Sequence, residues 1–311
     1  MSQEAARTTR PANPSTRVGF VGLAGRPNVG KSTLVNTLVG TKVAIVSDRP
    51  QTTRRAIRGI ATDEAEGCQM VLVDLPGVQR PRDPLTERMQ HRVEQELDDA
   101  DVALLVVDGA QGVGSGDRFI ATALLATGRG IPVLCAVNKC DRLRKPGAAA
   151  SLAAAAELEA VDEVFPVSAK TGAGVGPLAA RLTELLPEGP LLYPAGERSD
   201  LSSEVRLGEL IREQVLRRTR HEVPHAVEVV VDEVNRRDDG LVEVRAEAWV
   251  ETQSQKRMLI GKGGRMVREI GTAARKELER EVAAHVFLGL QIKVREHWRR
   301  DDGLLDRIGI D

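Results

Sequence analysis

Aromatic side chains are nearly missing from this chain: 2% of its 311 residues, as four Phe, two Trp and one Tyr. Any core must therefore be built mainly from Val, Leu, Ile and Ala. Cysteine is as scarce. Cys68, Cys135 and Cys140 are an odd number in a chain long enough to fold without staples, which predicts reduced thiols rather than a disulfide framework. No Cys or His spacing resembles a metal site, and the five His are scattered. The longest apolar runs, such as Val102-Ala-Leu-Leu-Val-Val107, fall far short of the ~20 residues that cross a bilayer. An excess of either sign of charge is lacking too. A formal net charge of -1 gives no long-range attraction to nucleic acid or anionic membranes, so any such binding must come from a local patch. Residues 1–16 are polar and carry no apolar core of a signal peptide; they read as a disordered tail of a cytoplasmic protein.

What is present is ordered. A hydrophobic fraction of 41% and a charged fraction of 29% describe a globular chain with room for two domains. Gly25-Arg-Pro-Asn-Val-Gly-Lys-Ser32 fits G-x-x-x-x-G-K-S, a pattern that average composition produces in roughly one chain in a hundred of this length. Four further signatures follow in order: Thr52-Thr53, Asp74-Leu-Pro-Gly77, Asn138-Lys-Cys-Asp141 and Ser168-Ala-Lys170. The series, more than any one match, predicts a GTPase. A second D-x-x-G at Asp306–Gly309 has nothing around it to use it and reads as chance.

Each signature carries chemistry. Glycines Gly25 and Gly30 let the loop curl so that N–H groups, those around Asn28, Val29 and Thr33 among them, face phosphates at a helix start. Lys31 supplies a point charge to the β- and γ-phosphates, and the Ser32 hydroxyl suits Mg²⁺. Asp74 ends a strand as a carboxylate that holds Mg²⁺ through water, and the Gly77 N–H reports the γ-phosphate. A carboxylate at Asp141 accepts from guanine N1–H and its 2-amino group, donors that adenine lacks, and a buried Asp left unpaired would give strong discrimination. Lys139 packs its stem along the base, Asn138 belongs to the same element, and Ser168, Ala169 and Lys170 close the pocket through the Ala169 N–H. Val78 stands where Ras-like enzymes place a water-orienting Gln, so hydrolysis should be slow or use another group. Asn28 is open to two roles: a K⁺ ligand that replaces an arginine finger, or a turn residue of unusual φ/ψ. Arg49, Arg54 and Arg55 are the candidates for a finger, set against solvated charges.

From Val18 to about Leu186, aliphatic runs alternate with helical patterns, which predicts an α/β domain with a mainly parallel sheet over 17–187. Pro187-Glu-Gly-Pro190 and the residues to 202 read as a linker. Beyond it the pattern becomes α-β-β-α-α-β over 203–311, a smaller α+β domain. Within it, the segment from Gln253 to Arg268 has no acidic residue and five basic ones. Its centre, Ile260-Gly261-Lys262-Gly263-Gly264, is a G-x-x-G turn between helices. Type II KH domains clamp a single-stranded backbone with such a turn, and Lys256, Arg257 and Arg265 flank it. The alternative is a helix hairpin with a solvated basic face.

On these marks, with Gln51-Thr-Thr-Arg54 and the terminal Gln291-Ile-Lys-Val-Arg-Glu-His-Trp298, the chain from about Arg17 to Ile310 resembles the Era family of GTPases. The resemblance implies a GTP/GDP- and Mg²⁺-dependent factor that binds the 3′ region of 16S rRNA during 30S maturation. It implies Thr53 rather than Thr52 as the Mg²⁺-sensing switch threonine, although Thr52 stays open. Switch I is expected over about 46–57 and switch II over about 77–94. A monomer is expected, peripheral contact with the inner membrane face is left open, and the competing reading is a signalling switch whose second domain binds protein.

Overall fold

In the computed structural model, residues 16–49, 51–78, 81–126, 130–219 and 223–310 are described; the expectations for the N-terminal tail, for position 50 of switch I, for positions 79–80 of switch II and for positions 220–222 and 311 of the second domain lie outside them. The first half lays down β1 (Arg17–Ala24), α1 (Lys31–Val39), β2 (Ile57–Asp63), β3 (Cys68–Asp74), α2 (Pro84–Asp98) and β4 (Val102–Asp108). There follow α3 (Ser115–Ala126), β5 (Val133–Asn138), α4 (Lys145–Ala156), β6 (Glu163–Pro166) and α5 (Val175–Leu185). The strands form one sheet in the order β2-β3-β1-β4-β5-β6, with β2 antiparallel and the rest parallel. The central strands are buried on both faces, which is why Val102–Val107 reads as an unbroken aliphatic run. Leu34 and Val35 of α1 pack with Leu178 and Leu182 of α5 on one side. Val93 and Leu97 of α2, Ile120 and Leu124 of α3 and Ala155 of α4 pack on the other.

The second half contains α6 (Ser203–Arg218), α7 (Val223–Ala226), β7 (Glu228–Arg236), β8 (Val242–Val250), α8 (Gln253–Ile260), α9 (Arg265–Val282), β9 (Val286–Val294) and α10 (Asp302–Arg307). The sheet β7-β8-β9 pairs β7 and β8 antiparallel and β8 and β9 parallel. Leu207, Leu210 and Ile211 of α6 and Ile270, Ala274 and Leu278 of α9 cover one face of it. Residues 188–202 do not hang between the halves. Gln69 on β3 fastens them, accepting from the Leu192 and Tyr193 N–H groups and donating to the Tyr193 carbonyl, while Ile60 N donates to Arg198 O at 2.9 Å.

The halves meet through both segments expected to move. Arg54 is buried: its guanidinium bonds Glu228 at 2.7 Å and the carbonyls of Val227, His225 and Pro224, and lies 5.4 Å from the Trp298 ring centroid. Arg55 bonds Glu209, Glu228 and Ile308 O. Arg212 pairs with Glu209 and donates to Thr52 O. Arg54 and Arg55 are thus neither finger nor solvated charge. Their partners are contributed by distant sequence, so nothing local marked them. The contact with α2 is apolar, with Leu85 and Met89 packed against Trp249, Trp298, Leu305, Ile308 and Ile310. Arg88 adds bonds to Asp302, Asp306 and the Ile310 carbonyl, so the second D-x-x-G is a helix end that docks on α2.

Candidate nucleotide site and basic loop

The turn between β1 and α1 is the centre of the site. Gly30 caps α1 at φ 105°, and a Cβ there would lie 2.3 Å from Asn138 Nδ2. Only glycine permits the close approach that lets Asn138 reach the loop. Asn138 Nδ2 donates to Val29 O at 2.9 Å, and its Oδ1 accepts from Lys139 N and Ala169 N. The Ala169 N–H therefore donates to Asn138, where sequence reasoning had it closing the pocket on the ligand. Lys139 adopts φ 64° and its Nζ bonds Asn28 O at 2.6 Å and Asp108 Oδ2 at 2.7 Å. Asp141 accepts from Ser168 Oγ at 2.7 Å, a bond that holds its carboxyl below the ordinary range. It is exposed at the rim and not buried as discrimination was expected to require. The base itself would have to cover it. Lys170 is exposed beside it.

Lys31, Ser32, Thr53 and Asp74 converge below this rim. Lys31 Nζ donates to Gly25 O at 2.9 Å and Arg26 O at 3.2 Å. Burial lowers it to about 8 against the attraction of Asp74. Burial likewise raises Asp74 to about 6, opposed by Lys31 and the hydroxyls of Ser32 and Thr53. Thr53 Oγ1 lies 3.2 Å from Ser32 Oγ and 3.3 Å from Asp74 Oδ2, whereas the Thr52 hydroxyl turns to Arg49 O. Asp74 Oδ1 is buried with no hydrogen-bond partner among the described residues, a costly arrangement unless a cation completes it. Two hydroxyls and an unpaired carboxylate oxygen are the hard donors Mg²⁺ takes, so the residues fit that ion. A cleft of about 280 Å³ opens above them, lined by Asn28, Gly30, Lys31, Ser32, Thr33, Gly77 and Lys139 among others.

Asn28 sits at φ 64° and its Nδ2 donates to Asp48 O at 2.9 Å. It satisfies the turn-residue role and also ties the loop to switch I.

In the second half, Thr252 and Gln255 form a capping box at the start of α8. The turn follows, with Gly261, Gly263 and Gly264 all at positive φ. A Cβ on Gly261 would lie 2.7 Å from Met266 Cβ. Arg268 fastens the turn through Gly263 O and Gly264 O. Arg257, Lys262 and Arg265 are exposed, Lys256 and Ile260 half-buried, and Arg265 pairs with Glu269. Sequence reasoning passed over Met258 on α8 and Phe287 on β9, which are 44% and 56% exposed. The scarcity of Phe, four in the chain with Phe287 beside the KH segment, was the available signal.

A cleft at the carboxyl ends of parallel strands with a phosphate-loop Lys, a Mg²⁺ donor set and Asn138–Asp141 beside it, followed by a second sheet with a G-x-x-G turn, is the arrangement of a P-loop GTPase carrying a C-terminal KH domain. Family models agree: one described as 50S ribosome-binding GTPase matches residues 20–139, and one for the KH domain matches 222–299. The chain is 46% identical over 296 residues to GTPase Era of Mycolicibacterium paratuberculosis, covering 94% of this chain and 98% of that one. It is also 46% identical over 295 residues to GTPase Era of Mycobacterium tuberculosis H37Ra. Among solved structures, a single-residue variant of Aquifex aeolicus Era bound to GDP·AlF₄⁻ superposes with a TM-score of 0.91 at 32% identity, covering 95% of this chain and 99% of the other. Era in complex with MgGDPNP and nucleotides 1506–1542 of 16S ribosomal RNA superposes at 0.90 with 33% identity and the same coverage. The chain belongs to the Era family of GTPases.

Proposed function

We propose that this GTPase is a nucleotide-driven switch that binds the 3′ region of 16S rRNA through its KH domain and assists assembly of the small ribosomal subunit. The solved relative that holds both MgGDPNP and a 16S rRNA fragment supports this reading. The observation that carries it is the division of switch I. Thr53 touches Ser32 and Asp74 at the phosphate end of the cleft, while Arg54, the next residue, is buried in the KH domain. A shift of Thr53 toward a γ-phosphate-bound Mg²⁺ cannot leave Arg54 where it is, so hydrolysis and KH placement share one lever.

In the nucleotide pocket, Gly25 shapes the loop, and Lys31 with the N–H groups of Asn28 to Thr33 holds the phosphates. Ser32, Thr53 and Asp74 hold Mg²⁺, and Gly77 reads the γ-phosphate. Asn138, Lys139, Asp141, Ser168, Ala169 and Lys170 form the guanine end. Bound Mg²⁺ neutralises charge developing on the phosphates. Asn28 Oδ1, its partner atom Nδ2 being engaged by Asp48 O, is the acceptor available to K⁺. In the KH domain, Ile260–Gly264 with Lys256, Arg257 and Arg265 holds the RNA backbone, and Met258 and Phe287 offer apolar surface to bases. The division falls near 187 and 203, the protein acts as a cytoplasmic monomer, and any membrane contact is peripheral; no helix among the described residues is long and apolar enough to cross a bilayer.

The test is binding of the full chain to a short RNA from the 3′ end of 16S rRNA, with GTP analogue, GDP and no nucleotide, at fixed salt. Nucleotide-dependent binding is expected, together with its loss in Gly261→Asp while GTP hydrolysis persists. No binding in any state would refute the RNA reading and leave a GTPase whose KH domain takes a protein partner.

A further inference from the structure

We propose that Arg26 is a positioning residue for GTP hydrolysis, acting through a strut to Asp117 that sets the outer curve of the P-loop against switch II. The inference rests on the nucleotide reading above. Arg26 is the second residue of the loop, and its side chain leaves the cleft and crosses to α3. Nε donates to Asp117 Oδ1 at 2.8 Å, Nη1 to Gln111 Oε1 at 3.3 Å and Nη2 to Gly112 O at 3.4 Å. Asp117 is fully buried, and its other oxygen accepts from Gly114 N at 2.8 Å, which fixes the carboxylate on the first turn of α3. The path is fitted to the arginine stem: a Cβ on Gly116 would lie 2.7 Å from Arg26 Cδ and 3.2 Å from its Cγ. Arginine, glycine and aspartate are thus matched across 91 residues of sequence.

The backbone of Arg26 is held from the opposite side as well. Its carbonyl accepts from Lys31 Nζ, and the carbonyl of Gly25 accepts from Val78 N at 3.4 Å. Pro27, the next residue, presses on Gly77 so closely that a Cβ on Gly77 would lie 2.7 Å from Pro27 N. The strut, Pro27 and Gly77 therefore form one stack from α3 to the entry of switch II. Phosphate binding uses the N–H groups of Asn28 to Thr33, beyond Arg26 and Pro27, and does not need that stack. Placing Gly77 relative to the γ-phosphate does, and small misplacements cost rate more than affinity.

Cutting the strut should separate the two. Arg26→Ala leaves Asp117 buried and unpaired and is at risk of misfolding, so the informative variant is Arg26→Gln/Asp117→Asn, which removes both charges and keeps hydrogen-bonding groups. Its kcat for GTP is expected to fall about tenfold, with Kd for fluorescent GDP within about threefold of the parent and Arg26→Lys, which still reaches Asp117, recovering most of the rate. Gly116→Ala should lower kcat with no charge altered. An unchanged kcat in the double variant, or an equal loss of GDP affinity, would overturn the strut. Failure of the unmodified chain to bind GDP at all would instead overturn the P-loop reading.

Discussion

Replacing Arg54 with Met should loosen the two halves without touching the nucleotide. Arg54 and Glu228 are both wholly buried, so their pair is not discounted by solvent. Arg55 and Arg212 also face Glu228, and against the cost of burial the three guanidinium groups hold its carboxyl down at about 2. Taking away one member of such a network typically costs about 3–5 kcal/mol, because the remaining charge keeps its desolvation cost and loses a donor. Here the carbonyls of Pro224, His225 and Val227 lose theirs too. The burden falls on the junction, since Arg54 belongs to neither core. Wild type should melt in one calorimetric transition and Arg54→Met in two. Trp249 and Trp298 are buried at this junction, so their emission should shift red in the earlier transition. Fluorescent GDP affinity should stay within a few fold, and the GTP-analogue effect on RNA binding should vanish. The coupling reasoning fails if Arg54→Met melts as one transition with stability within about 1 kcal/mol of wild type.

Gly30→Ala would push a methyl into Asn138 Nδ2 and break the bond to Val29 O; expected is a loss of at least tenfold in GDP affinity, read by titration, and unchanged affinity would remove the bridge from the account. Asp141→Asn should turn preference from guanine to xanthine nucleotides, measured by competition, and an unchanged preference for GTP would refute its role. For pH the sign follows from Glu228. Its folded value near 2 lies below the ordinary 4.5, so its contribution is present above about pH 4.5 and is lost as pH falls toward 2. Wild type should therefore lose junction stability across that window, and Glu228→Gln should show a flatter acid slope by calorimetry; parallel slopes would contradict this.

The central parallel strands β1, β3, β4 and β5 were legible because burial on both faces leaves aliphatic runs such as Val102–Val107, whereas the short, half-exposed β6 was not. The phosphate loop was legible because its chemistry needs fixed residues at fixed spacing. The strand β2, Ile57-Arg-Gly-Ile-Ala-Thr-Asp63, was not. It is an edge strand whose apolar residues are interrupted, and its place is set by pairing with β3. Helices α2 and α3 were missed because polar residues dominate the outward face of one and α3 carries exposed Phe119 and Leu125, which blurs its period. The second domain showed its order in full except for the short helices α7 and α10, each under seven residues and held by tertiary contact. In the site, residue types predicted the cluster of Lys31, Ser32, Thr53 and Asp74. They could not foretell that Asp141 lies at the rim, or that Ala169 N–H serves Asn138, because both depend on where two loops meet. The arginines Arg54 and Arg55 show the same limit more sharply: a charge is solvated or buried according to partners more than 150 residues away.

The strip from Arg198 to Asp200 has a consequence beyond joining the halves. It lies along the outer side of β2, where Ile60 N meets Arg198 O, Gly59 bridges Ser199 and Arg58 meets Asp200. A bare strand at the margin of a sheet is a template on which another chain can add itself. At the opposite margin β6 has only four residues, too short to recruit much. The polypeptide thus carries its own selvedge, and a GTPase fragment cut at Pro187 would lose it. Such a fragment should keep the nucleotide pocket and yet self-associate, whereas one extended to about Leu201 should stay dispersed.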